Sequence, residues 1–341
     1  MGSDNRIAAL DIAKGICILL VIAGHAFCLD WCFPIYAFHL PCFFFISGML
    51  IKEERLRSPL DFIKHETKVI LAPFFIMLAI SVLVCIMVSD WRNLITTKGV
   101  LRDLYFVTPN FAQNSSLWYL VAFWFSIIYL DVAYSISKRS RSWFAIAISV
   151  VAVVSLCLPS IMTRLEIPAH RLPLRADSGL LAVVFVGAGF CYRDEMLRLI
   201  KKLARWHCVA GLVLVVAFAS VLNGPSNMAS LLYGRFAFLY LPIAFAGIVA
   251  VLSLSRAIES CPRIQGVLGF FGKHSLIVFG FQSMLIRGYN LVILKTTGEE
   301  LVLYGSNPIV HQILAFGIVS FIAAPLLVVA WLNIRRKIGY V

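Results

Sequence analysis

The sequence predicts an all-α, polytopic integral membrane protein of about ten transmembrane helices with both termini in the cytoplasm. Three observations carry this. Of 341 residues, 61% are hydrophobic and only 14% charged, with a mean hydropathy of +0.90, whereas a soluble domain runs nearer half apolar and a quarter charged. The apolar residues fall in repeated runs of roughly 20, each long enough to cross a ~30 Å hydrocarbon layer. The basic residues alternate between successive connections, the pattern left by retention of Lys and Arg in the cytoplasm. A soluble enzyme is thereby excluded. Ten spans in this length leave only short connections, so residues 1–341 are read as one membrane-embedded domain.

The spans are placed near residues 8–28, 35–51, 69–89, 116–136, 143–163, 177–193, 207–223, 231–252, 274–294 and 310–334. The first run has no basic segment before it and no small-residue cleavage site after it, so it is read as a retained span rather than a signal peptide. In the second, Pro41 and Gly48 are expected to loosen the backbone and line a cavity. The third follows KEERLRSPLDFIKHETK (52–68), read as a basic loop that places Lys64 and Lys68 one helical turn apart beside the span. The fourth opens with SSLWYLVAFW, whose Ser116, Trp118 and Tyr119 read by residue type as an aromatic belt at the outer interface. The loop before the sixth span is dense in ionisable groups: Arg164, Glu166, His170, Arg171 and Arg175. Arg235 and Arg287 fall within the eighth and ninth spans. Ahead of the ninth, Gly272, Lys273, His274 and Ser275 combine exposed amides with a cation, a combination suited to an anion.

Of the 30 Lys and Arg residues, 21 lie on the side assigned to the cytoplasm and 7 on the other, which requires an even number of spans. The net charge of +13 belongs to this bias and to anionic headgroups, not to nucleic acid. The nine Cys show no paired spacing; most sit in apolar runs as small hydrophobes, and Cys28 and Cys32 share an outer loop.

Ionisable groups inside spans are costly and face the interior, so each is a functional candidate. In RIAALDIAKGICILLVIAGHAF, ten residues separate Lys14 from His25. Eleven helical steps return to within about 20° of the starting direction and rise about 16 Å, putting both groups on one stripe at opposite depths. Lys14 and Asp11 also fit a plainer reading, a snorkelling cation paired one turn away. His39, just inside the second span, is expected at the depth of His25 on the neighbouring helix. No third ligand has metal-site spacing with these two His, so no metal is expected. An imidazole that is neutral at pH 7 suits general-base work.

With these residues in place, the chain resembles the membrane acyltransferase type 3 family. Arg6…Leu10-Asp11…Lys14-Gly15 followed by His25 resembles its N-terminal basic-to-histidine motif, and FHLPCFFFISG its second-span motif. FIKHETKVILAPFF, SSLWYLVAFW, FVGAGFCYR and FGKHSLIVFGFQ extend the match in order along nearly the whole chain. Lys14 occupies a position where Arg is also frequent, and Gln282 one where many members carry His.

The resemblance implies transfer of an acyl group, usually acetyl, from cytoplasmic acetyl-CoA to a hydroxyl of a cell-surface glycan or lipid-linked sugar, in a bacterial inner membrane. It assigns Arg6, Asp11, Lys14, Lys64 and Lys68 to the acyl-CoA. His25 and His39 become the catalytic pair, and Ser47, Trp118, Arg171, Arg175 and Gln282 fall to the substrate side. A transporter or flippase is the alternative, since ten spans with charges at mid-depth suit that too, although no repeated halves are visible. A module that binds ligand without chemistry is a third reading.

Overall fold

A computed structural model describes residues 8–27, 32–92, 102, 104–107, 114–167, 171–302, 305 and 307–337. Among them, ten helical segments are long and apolar enough to span a bilayer: Ala8–Ala26, Phe33–Leu50, Pro59–Met87, Trp118–Ile136, Arg141–Arg164, Pro173–Cys191, Trp206–Asn223, Ala237–Ile258, Ser275–Thr297 and Ile309–Ile334. Arg6, His170, Cys28 and both chain ends lie outside the described residues.

Three stretches read as basic loops are helical instead. Residues Pro59–Lys68 continue the third span into a helix of 29 residues, because Pro59 at the first turn supplies a preset φ where no N–H partner is needed. Arg193–Leu203 and Pro262–Lys273 are amphipathic helices. The second of these packs along the first span with backbones nearly touching: a Cβ at Gly15 would collide with the Leu268 carbonyl, and one at Gly272 with that of Asp11. Hydropathy finds spans, but amphipathic helices beside them carry too much charge to register. Arg235 is likewise not in a span. The eighth span starts at Ala237, after a two-stranded antiparallel pair, Ser226–Asn227 with Leu232–Tyr233, and Gly234 at φ +79°. Arg235 is exposed there, its amide donating to Asn223 O at 2.6 Å.

The first span is the hub. It packs on the second, eighth, ninth and tenth spans as well as on Pro262–Lys273. The second span, a 3₁₀ turn Phe33–Ala37 followed by the α-helix His39–Leu50, packs chiefly on the sixth. Gly48 does not loosen this helix. A Cβ at Gly48 would strike the Val186 carbonyl and one at Gly189 the Phe45 carbonyl, so the two glycines let the backbones meet, as small residues do between membrane helices. Gly189→Val is expected to block assembly, at a cost above the ~1–3 kcal/mol of ordinary overpacking because the obstacle is backbone. Size-exclusion profiles check this, and a monodisperse variant at wild-type yield contradicts it.

Candidate active site

The first span delivers His25 to its C-terminal end, in the last helical turn, where backbone carbonyls lack intrahelical partners. The Tyr36 hydroxyl satisfies one of them by donating to Gly24 O. Tyr36 sits in the 3₁₀ turn that Pro34 opens, and its ring meets the His39 ring edge-on at 5.2 Å. His39 is buried, its Nδ1 2.6 Å from Ile35 O. A carbonyl only accepts, so Nδ1 carries the proton and the neutral ring keeps its lone pair on Nε2.

His25, Tyr36 and His39 line one cavity of about 200 Å³ together with Ser115, Ser116, Trp118, Asn227, Ser230 and Phe279. The two imidazoles are therefore brought to one cavity, and they share its wall with the start of the fourth span. Trp118 and Tyr119 are not belt residues: they are 5% and 8% exposed. A buried polar network draws this segment inward. Asn114 Nδ2 donates to Ser81 Oγ at 2.9 Å and to Gly280 O at 2.6 Å, and the Ser115 amide to Ser283 Oγ at 3.2 Å. Gln282, fully buried, donates from Nε2 to Ser116 Oγ at 2.7 Å. Gln282 thus stands one hydrogen bond behind the cavity wall. Ser116 accepts from Gln282, and its own hydroxyl donates over a long 3.5 Å to Ser283 Oγ.

Arg171 and Arg175 build the rim. Both guanidiniums donate to Ala229 O, at 2.5 and 2.7 Å, and so hold the loop that carries Asn227 and Ser230. Arg171 also pairs with Asp177, Nε to Oδ2 2.7 Å, and donates to Ser178 Oγ at 2.7 Å. Arg175 donates to Val107 O at 3.0 Å and lies over the Trp118 ring, 5.8 Å from its centre. Leu174 and Arg175 both adopt left-handed φ, 54° and 61°, a conformation non-glycine residues hold only where surrounding contacts enforce it. These two arginines are engaged within the protein.

A second cavity, of about 180 Å³, is lined by Lys14, Ser47, Val69, Ile70, Tyr119, Ser275 and Phe279 among others. Lys14 and Ser47 are therefore brought together, at the first turn of the ninth-span helix. Lys64 and Lys68 are exposed on the third-span helix, Lys68 next in sequence to the lining residues Val69 and Ile70. Asp11 is buried toward Pro262–Lys273. Phe279 belongs to the walls of both cavities, so the Lys14 cavity and the His25 cavity meet at one side chain. Among the described residues no three His, Cys, Asp or Glu gather as a metal site.

Sequence reading missed Tyr36, Asn114, Asn227, Ser230 and Phe279. Asn114 beside Ser115 and Ser116, just ahead of an apolar run, was a visible polar cluster. The others carry no signal, since their importance lies only in where other helices stand.

The sequence pattern of the acyltransferase domain family matches residues 7–332. No curated protein and no solved structure matches the chain. A match running from the first span to the tenth, over a ten-span helical bundle with two cavities that meet at one wall, means that the chain belongs to the membrane acyltransferase type 3 family and is a multi-pass membrane acyltransferase.

Proposed function

We propose that the protein transfers a short acyl group, most simply acetyl, from cytoplasmic acetyl-CoA to a hydroxyl of an extracytoplasmic or lipid-linked cell-surface sugar, in a bacterial inner membrane. The observation that carries this reading is the alignment of a cationic cavity at Lys14 with a histidine cavity at His25 through their common wall at Phe279.

The donor's phosphates meet the basic face: Lys14, with the exposed Lys64 and Lys68 and the Ser275 amide at a helix start. The uncharged pantetheine arm runs along the ~16 Å of helix between Lys14 and His25. At the far end the acceptor hydroxyl attacks the thioester carbonyl. His25 takes its proton, the C–O ester bond forms, the C–S bond breaks, and the proton passes to the departing thiolate. His39 orients His25 rather than stabilising the oxyanion, because the one N–H of its neutral ring is held by Ile35 O. The Ser116 hydroxyl in the cavity wall, held by Gln282 and only loosely engaged with Ser283 Oγ at 3.5 Å, is the better oxyanion donor once it turns to the cavity. Trp118 offers a face for a sugar ring, and Asn227 and Ser230 offer hydrogen bonds to its hydroxyls.

The direct test is transfer of radiolabel from acetyl-CoA to a cell-surface glycan extract by protein in nanodiscs. Label on glycan supports the reading; failure to bind acetyl-CoA at all sinks it. For the donor half, Lys14→Ala is expected to weaken acetyl-CoA binding about 10- to 100-fold, the worth of one charge-assisted hydrogen bond. Calorimetry on folded variant decides, and an unchanged affinity removes Lys14 from the donor site.

A further inference from the structure

Between the two cavities lies a layer of three rings drawn from three helices. Phe279 of the ninth span stands 4.8 Å from Tyr119 of the fourth and 6.4 Å from Phe43 of the second, and Tyr119 and Phe43 are 6.3 Å apart. Each is under 10% exposed. Phe43 and Tyr119 border the Lys14 cavity, and Phe279 borders both. Phe279 is thus the lining residue that the two cavities share, with Tyr119 and Phe43 packed against it from the Lys14 side.

We propose that Phe279, closed against Tyr119 and Phe43, is a septum that separates the donor half of the site from the acceptor half and sets the size of the acyl group that crosses. This deepens the acyl-CoA reading above and rests on it for its chemical consequence, while the septum itself is a matter of access. Phe43 meets both other rings edge-on and Phe279 is tilted against Tyr119, contacts that hold a defined arrangement through packing alone. A slender thioester displaces one ring; a branched or long acyl group must displace more. With the septum shut, water from the outer cavity is kept from the thioester, where it would take the place of the acceptor hydroxyl and release acetate and free CoA thiol.

The test separates access from activity. Ser47→Cys introduces a thiol on the Lys14 side, and a membrane-impermeant methanethiosulfonate is applied to inside-out and right-side-out vesicles, with the parent protein labelled in parallel. With Phe279 present, Ser47→Cys is expected to react from the basic side only. Adding Phe279→Ala opens it to the opposite side with a rate increase of about tenfold, and raises hydrolysis of acetyl-CoA without acceptor by a similar factor, since water exclusion is what a closed site supplies. Phe279→Leu, which keeps most of the volume, gives a smaller increase in both and carries the test should the alanine variant aggregate. Opposite-side labelling at the same rate whether or not Phe279 is present overturns the septum. If wild-type protein fails to bind acetyl-CoA, the acyl-CoA reading falls, and the labelling result still judges the septum.

Discussion

Replacing His25 with alanine is expected to lower acetyl transfer by roughly 10²- to 10⁴-fold, the usual contribution of a positioned general base, while leaving acetyl-CoA binding intact. The reason for the split is spatial. His25 lines one cavity with Tyr36, His39 and Trp118, and Lys14 lines the other, so the imidazole is removed without touching the groups assigned to the donor's phosphates. The local backbone is also secured independently of the imidazole, by the Tyr36 hydroxyl on Gly24 O and the Phe27 amide on Ala23 O. Single-turnover label transfer in nanodiscs, with binding measured on the same preparation, checks both halves. A His25→Ala protein that transfers at the wild-type rate would falsify base catalysis by this residue.

The second large effect is on stability. Asp177 is fully buried; it forms an ion pair with Arg171, Nε to Oδ2 2.7 Å, and accepts from Arg171 Nη2 at 3.1 Å, from the Leu172 amide at 3.1 Å and from the Ser178 amide at 2.6 Å. Arg171 and Arg175 converge on Ala229 O, and this one carboxylate pairs with the first of these two guanidiniums. Asp177→Asn keeps the shape and removes the charge, leaving the cations in a largely buried setting. Breaking one side of such a pair costs about 3–5 kcal/mol. The expected result is a clear drop in the thermal midpoint, with loss of activity as the Asn227–Ser230 loop comes away from the cavity. Adding Arg171→Gln to Asp177→Asn should recover part of the loss, which a double-mutant cycle reads as coupling between the pair. An unchanged midpoint in Asp177→Asn alone would mean that the pair does not hold the rim.

The same rim shows why Arg171 and Arg175 read differently in sequence and in space. Along the chain they are two cations in a short outer loop and suggest an acidic acceptor. Folded, both turn inward onto main-chain carbonyls supplied by residues more than fifty positions away. Trp118 changes meaning for a related reason. A tryptophan near the end of a span is by type a belt residue, and only the hydrogen bonds that join Asn114, Ser115 and Ser116 to Ser81 of the third span and to Gly280, Ser283 and Gln282 of the ninth pull its segment into the interior.

What was legible in the chain follows from local physics. Each span must satisfy its own backbone hydrogen bonds and present apolar side chains to lipid, so ten spans can be read as ten separate runs. The stripe from Lys14 to His25 is a property of one helix and needs no neighbour, and the depth of His39 follows from the short connection after His25. The rest depends on which helices touch. Hydropathy is indifferent to pairing, because lipid and protein interior are nearly equally apolar to a leucine. Contacts are instead selected by close backbone approach at Gly15, Gly48, Gly189 and Gly272, and by the few buried polar groups that must find partners. Those contacts brought Phe279 between Lys14 and His25, set Gln282 behind Ser116, and placed Asn227 and Ser230 opposite the histidines. A cavity is the space left between several helices, and no single helix carries its shape.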